Sequence, residues 1–427
     1  MKKSSAWKVL LFIVLVAGAC LRLAYVQDME YKEDEQIDFH YSRLVGNETW
    51  PWVGMPSGVS IANPGMSVWV FEAMGKIFHV KEPTELDHAD ELFNILGILL
   101  LIPFALFFVK PEEKETWLWA FALALVNPFA IYYQRKLWPE PFLPFFSMLM
   151  LMGWWKRETR LGAFFWGLIG AILGQVHMSG FFVAGGLFLW TALFKRKNAR
   201  WFSWFIGSCL GALPLLPWAD YVLKNPVQGT VVTGLNEIVQ LKYWVFWITD
   251  PTGLHLGNPL GLLHGNSTFA QLSDFIRYPI LSGHPTYLVG LVHLVTVAIV
   301  ARILMGGVFS IWKKRSGAFH LLMGRSSDTA FVQNAFFWGA GILMTVTGVV
   351  IRRYYMMATF PLEFVWLTRA AGTVRNPRKL LAGLCLMEFL ISAAFVGYVH
   401  VNDGAPQGDY GVAYHVTKNR DAKKNSP

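Results

Sequence analysis

The feature that most limits this chain is the stretch "WKVLLFIVLVAGACLRLAYV" (7–26), which is apolar almost throughout. A helix rises about 1.5 Å per residue, so about 20 apolar residues cross the roughly 30 Å hydrocarbon core of a bilayer. Within that core every backbone N–H and C=O must be satisfied inside the chain, which leaves helices or closed barrels. The stretch is continuously apolar rather than alternating, so it reads as a helix. Its apolar part is longer than a usual signal core, so it is expected to stay as an anchor.

Comparable runs recur. Candidate spans fall near 8–26, 92–109, 116–134, 138–155, 161–178, 180–194, 201–222, 286–306, 330–351, 354–370 and 379–399, about eleven in all. The chain is 54% hydrophobic and only 15% charged, against about 25% charged for an ordinary soluble domain. The expected fold class is an all-α polytopic membrane protein, with 1–427 forming one membrane-embedded domain. A net charge of +9 then carries no implication of nucleic acid, because basic residues in such proteins mark the cytoplasmic side. Cys20, Cys209 and Cys385 all lie in apolar runs and show no metal or disulfide spacing.

Lys2 and Lys3 precede the first span, which puts the N-terminus inside. Alternation then puts "KPEEKE" (110–115), "KRETR" (156–160), "KRKNAR" (195–200), "KKRSG" (313–317) and "RNPRK" (375–379) on the cytoplasmic side, as the positive-inside rule requires. Three segments are left outside: the loops 27–90 and 223–285 and the tail 400–427. The first loop contains "PGMSVWVFEAMGKIFHV" (64–80). There Met66, Val70, Phe71, Met74, Ile77 and Phe78 recur at helical spacing, which predicts a helix lying in the outer interface. The second loop is rich in Gly and Pro. His255 and His264 lie there without an assigned role.

Directly after the first span comes "YKEDEQIDFHYSRL" (31–44), with Glu33, Asp34, Glu35 and Asp38. Taken alone, these acids suit a solvated loop. They are followed by "GNETWPWVGMPSGVSIANPGMSVWVF": a Trp/Pro turn, a Gly-rich hairpin-like stretch, and Pro64 opening an aromatic helix. This order resembles the first external loop of the GT-C superfamily of membrane glycosyltransferases. That superfamily includes the protein O-mannosyltransferases and the transferase that adds aminoarabinose to lipid A (family 39-like proteins). Asp34–Glu35 match its acidic pair, and Asn63–Pro64 through Trp69 match its second element. One departure stands out: some members carry a Lys before that proline, and here Asn63 takes its place. "YYQRKLWPEPFLPFFSML" (132–149), "GQVHMSGFF" (174–182) and "VIRRYYMMATFPLEF" (350–364) resemble further segments of the superfamily, all expected at the outer face.

The resemblance implies sugar transfer from a polyprenyl-phosphate donor, held at a membrane lipid surface, to a lipid, glycan or protein acceptor. Asp34 is the expected base, with Glu35 second, because a carboxylate can take the proton of an attacking hydroxyl. Asp38, one helical turn on, is placed with the acceptor or a cation. Arg352 and Arg353 are candidates for the lipid phosphate, with Arg135 and Lys136 behind them, because a guanidinium gives a phosphate bidentate hydrogen bonds. Gln175, His177 and Tyr354 complete the expected substrate site. Glu140 and Glu363, near span ends, are read as partners of a nearby arginine. The acidic cluster is a candidate holder of Mg²⁺ or Mn²⁺, which nothing in the chain demands. The expected location is a bacterial inner membrane with the site on the periplasmic or extracellular side. A transporter or lipid flippase, and a non-catalytic scaffold of the same fold, remain open.

Overall fold

The interruptions in the apolar runs decide where helices end. The computed structural model describes residues 3–57, 61–226, 241–254, 256, 260, 270–313, 327–347, 350–406 and 408–424. It is all-helical apart from three two-stranded hairpins. Among the described residues, four helical runs are long and apolar enough to cross a membrane: Pro83–Phe107, Leu288–Ser310, Asp328–Val346 and Pro377–Val401. A fifth is counted if Trp201–Ala212 and Leu215–Lys224, bent by 59° at Pro214, form one span. The eleven continuous spans expected from hydropathy are therefore not what the length and composition of the helices show.

Two of the shortfalls have clear causes. The predicted span 116–134 is cut at Asn127–Pro128. The Asn127 side-chain oxygen accepts from the backbone N–H groups of Phe129 (2.9 Å) and Ala130 (3.2 Å), and Pro128 takes the first helical position. Helix Lys114–Val126 ends there and Pro128–Tyr133 begins. The predicted span 354–370 is a 3-10 turn, Arg353–Thr359, followed by helix Leu362–Ala371. Ten residues rise only about 15 Å, half of the hydrocarbon core.

The helices pack through aromatic side chains and small residues. Trp117, Trp154, Trp166 and Trp247 are fully buried. Arg160–Val176 and Trp201–Ala212 approach so closely that a Cβ on Gly207 would land on the Phe164 carbonyl, the small-residue contact typical of helices packing in membranes.

Polar contacts sort the connecting segments to two ends. At one end Arg157 (3.0 Å) and Lys195 (2.5 Å) share Asp328, the Arg200 amide bonds the Arg157 carbonyl, Ser327 bonds Glu113, and Arg378 pairs with Glu115. This is the basic end. At the other end lie the segment after the first helix and the C-terminal tail. The tail's hairpin Gly404–Ala405/Gly411–Val412 and helix Tyr414–Lys424 dock on that segment. The contacts run from the Tyr414 amide to the Met29 carbonyl (3.0 Å), and from His400 (2.7 Å) and His415 (3.1 Å) to Asp28.

The first loop is built of helix Glu33–Ser42, hairpin Val53–Pro56/Ala62–Pro64 and helix Met66–Phe78. The last part of the predicted loop, from Pro83, belongs instead to helix Pro83–Leu99, the start of a run long and apolar enough to cross a membrane. The two loop helices cross at Gly75, where a Cβ would collide with the Ser42 carbonyl. Trp69 Nε1 donates to the Pro51 carbonyl (2.7 Å), and the Trp50 amide donates to buried Glu72 (2.7 Å). The Trp/Pro turn is thus pinned to the helix it precedes. Of the predicted apolar stripe, Phe71 and Met74 are buried, whereas Ile77 and Phe78 are 69% and 55% exposed. The packed face includes Ser67, Val68 and Glu72 instead.

Candidate active site

A cavity of about 570 Å³ opens at the end that carries the acidic loop. Five stretches distant in sequence line it: Glu33, Asp34 and Ile37 from the first loop helix; Met55, Pro56, Ile61 and Asn63 from the hairpin; Trp138 to Glu140; His177 to Ser179 with Phe181 and Phe182; and Tyr354–Tyr355. Hydrophobic and aromatic walls around a few polar groups are what a small-molecule site needs.

Each polar group is held by its own element. Asp34 lies in the first turn of Glu33–Ser42 and is exposed at the cavity rim. Partial desolvation there, with Glu35 and Glu33 beside it, holds its carboxyl above the usual Asp range. His177 ends helix Arg160–Val176 and Ser179 begins Ser179–Phe194. His177 Nδ1 lies 2.8 Å from Ser179 Oγ and accepts the Ser179 amide at 3.3 Å. With Nδ1 accepting, Nε2 carries the proton and faces Glu140 Oε1 at 3.2 Å. Glu140 therefore partners a histidine rather than an arginine, while Glu363 accepts from Thr359 (3.1 Å). The charges of Asp34 and Glu140 reach each other. Tyr354 stands edge-on to Trp138 (5.3 Å) and His177 (6.3 Å), and Tyr355 lies 5.3 Å from the same imidazole.

Of the residues expected from the sequence, the cavity brings together Asp34, His177 and Tyr354. It does not bring the others. Glu35 is buried, and its Oε2 accepts the Lys32 amide (2.9 Å), closing the start of its own helix. Asp38 is wholly buried and neither oxygen has a hydrogen-bond partner. Burial first, then the charges of Glu140, Glu35, Asp34 and Asp90, push its carboxyl well above the usual range and favour its protonated form. Arg135 is buried and donates to the carbonyls of Leu21 (3.0 Å), Arg22 (2.5 Å) and Ala24 (2.8 Å), where it ties off the first helix. Lys136 is buried on Glu30 (2.5 Å) and over Trp138 (4.1 Å). Gln175 donates to the carbonyls of Ala171 (2.9 Å) and Gly211 (2.6 Å), linking two helices. Arg353 pairs with buried Asp250. Arg352 is exposed, and its charge reaches the phenols of Tyr354 and Tyr355.

Glu33, Glu140, Ser179 and Tyr355 line the cavity although sequence reasoning gave them no site role. The two-residue spacing of His177 and Ser179 was the available signal. The pairing of Glu140 with His177 crosses 37 positions and leaves no mark on the sequence. Among the described residues no cation lines the cavity, and no three His, Cys, Asp or Glu side chains converge to hold a metal ion. His255 and His264 lie outside the described residues.

No protein-family model matches the chain, and no curated protein matches it. A comparison of folds returns the archaeal oligosaccharyltransferase AglB from Archaeoglobus fulgidus, solved with an inhibitory peptide and a dolichol-phosphate. The identity is 10% and the TM-score 0.47, with 92% of this chain and 56% of that one covered. The chain therefore spans little more than half of that protein's length, and a likeness at this level fixes neither fold nor function.

Proposed function

We propose that the chain is a membrane glycosyltransferase that moves a sugar from a polyprenyl-phosphate donor to a lipid, glycan or protein acceptor at the non-cytoplasmic face. The observation that carries this reading is the convergence of Asp34, His177 and Tyr354 on one cavity at the end of the helical bundle opposite the basic loops. A donor whose lipid tail stays in the bilayer can present its sugar only where helices meet the aqueous loops. In the reaction Asp34 takes the proton of the acceptor hydroxyl as its oxygen attacks the anomeric carbon. The bond from that carbon to the phosphate oxygen breaks, and its electron pair leaves on the phosphate. Of the predicted cations, Arg352 alone is both exposed and close to the cavity's tyrosines, so it is assigned to that growing negative charge. His177, oriented by Glu140 and Ser179, is assigned to sugar hydroxyls.

One observation favours a second reading, transport. Asp87 and Asp90 are buried without hydrogen-bond partners in Pro83–Leu99, with Glu91 beside them paired to Arg135 (3.7 Å), in a run apolar enough to span, and ionisable groups inside spans mark ion and proton paths. Proteoliposomes holding the purified protein and radiolabelled polyprenyl-phosphate sugars separate the two. Sugar appearing on an acceptor supports transfer. Label crossing the bilayer still attached to its lipid overturns it.

A further inference from the structure

We infer that a groove between the helices Leu143–Trp155 and Arg160–Val176, at the basic end, binds an anionic phospholipid of the surrounding bilayer. The groove lies at the opposite end from the candidate active site and measures about 400 Å³, within the usual range for ligand sites of about 300–1,000 Å³. Its walls are apolar, with Phe108, Met152, Leu161, Phe165 and Ile169 among them. Leu161 and Phe165 are 66% and 42% exposed. On an apolar helix that exposure is toward hydrocarbon, so the groove opens sideways to acyl chains.

The mouth has the opposite character. Lys156 and Thr159 close the groove, and Arg160 stands between the lining residues Thr159 and Leu161. Thr159 Oγ1 donates to the Lys156 carbonyl (2.8 Å) and accepts the Gly162 amide (3.0 Å), which fixes the turn that presents Lys156. The Lys156 ammonium lies 5.4 Å from the Phe108 ring centroid. Among the described residues neither the Lys156 nor the Arg160 side chain has a hydrogen-bond or ion-pair partner. Their neighbours do: Arg157 pairs with Asp328 (3.0 Å), and Glu158 accepts from Asn198 (3.1 Å). An apolar slot that ends in the unpaired ammonium of Lys156, with exposed Arg160 in the same turn, complements an acyl chain with a phosphate at its head where helices give way to water. A zwitterionic headgroup offers the same phosphate but cancels the charge, so the occupant is a phospholipid of net negative charge. A free phosphate would leave the apolar walls unused.

The test is native mass spectrometry of the full chain in detergent, with phosphatidylglycerol and phosphatidylcholine of identical acyl chains. Phosphatidylglycerol should be retained in preference. Retention should fall about five-fold in Lys156→Gln and about thirty-fold when Arg160→Gln is added, since each cation near a membrane surface contributes about that factor. Both side chains are exposed, and an unchanged melting temperature confirms folding. Equal retention of the two lipids, or phosphatidylglycerol binding unchanged in the double variant, overturns the inference. So does a polyprenyl phosphate that displaces phosphatidylglycerol from the wild type but not from the double variant. The readout is lipid retention, so the result stands apart from whether the chain transfers sugar.

Discussion

Asp34→Asn and Asp38→Asn make the same chemical change one helical turn apart on one helix, and the structure predicts opposite outcomes. Asp34 lines the cavity, is exposed at its rim, and has a carboxyl held above the ordinary Asp range by partial desolvation and by Glu35 and Glu33. As the base it must be ionised, so transfer should rise with pH as it deprotonates, with the acid limb beginning at a higher pH than an ordinary Asp would give. Asparagine accepts no proton. Transfer should fall by about 10²–10⁴-fold, or about 3–5 kcal/mol of barrier, and that limb should disappear. Asp38 is sealed in without a hydrogen-bond partner, away from the cavity lining, and burial favours its neutral form, so a neutral amide of the same shape is a mild replacement. Transfer should change by less than about five-fold. Asp38 leaves its trace in stability instead. The folded carboxyl gives up its proton at a higher pH than the unfolded one, so stability falls as pH rises above the ordinary Asp range. One such group contributes up to about 1.4 kcal/mol per pH unit, and Asp38→Asn should make the decline shallower. The assays are radiolabelled sugar transfer in proteoliposomes and thermal unfolding between pH 5 and 8. Full transfer by Asp34→Asn, or an equal loss in both variants, refutes the assignment.

Three further outcomes follow from the contacts. Arg352→Ala should raise the KM for the lipid-phosphate donor about ten- to a hundred-fold with the fold intact, whereas Arg353→Ala strands the buried carboxylate of Asp250 and should lower the melting temperature; donor titration and thermal unfolding distinguish the two. Arg135→Ala removes the donors that hold the carbonyls at the end of the first helix, strands buried Glu91 (3.7 Å), and should cost about 3–5 kcal/mol of stability, seen as loss of monodisperse protein in gel filtration rather than as a change in KM. Cysteines placed at Lys197 and at Asp403, at opposite ends of the bundle, should be shielded from and labelled by an impermeant thiol reagent in intact cells, respectively, and the reverse pattern would put the cavity on the cytoplasmic side.

The sequence by itself determined that the chain is helical and built for a membrane, because long apolar runs leave a backbone no other way to satisfy its hydrogen bonds. The helix after Pro64 was also legible, since helical periodicity is a local property. The bend within 201–222, read from the sequence as one span, came only with the structure, which breaks the run at Pro214. Local chemistry further pointed to Asp34 and His177, which the cavity does unite. Hydropathy overstated the continuous spans because it is blind to caps: the break at Asn127–Pro128 rests on two side-chain hydrogen bonds, not on polarity. The tertiary structure alone decided which charges face the cavity and which are spent on the scaffold. Glu35 and Asp38 sit near Asp34 in sequence, yet Glu35, one residue on, turns away and closes its own helix, and Asp38, one turn along the same face, is buried, because what packs over each turn is decided in three dimensions. Arg135, Lys136, Gln175 and Arg353 looked like ligand-binding residues until the partners that occupy them came into view, at Leu21 to Ala24, Glu30, Gly211 and Asp250. Those partners lie tens to more than a hundred residues away, and only packing in three dimensions brings them within hydrogen-bonding distance.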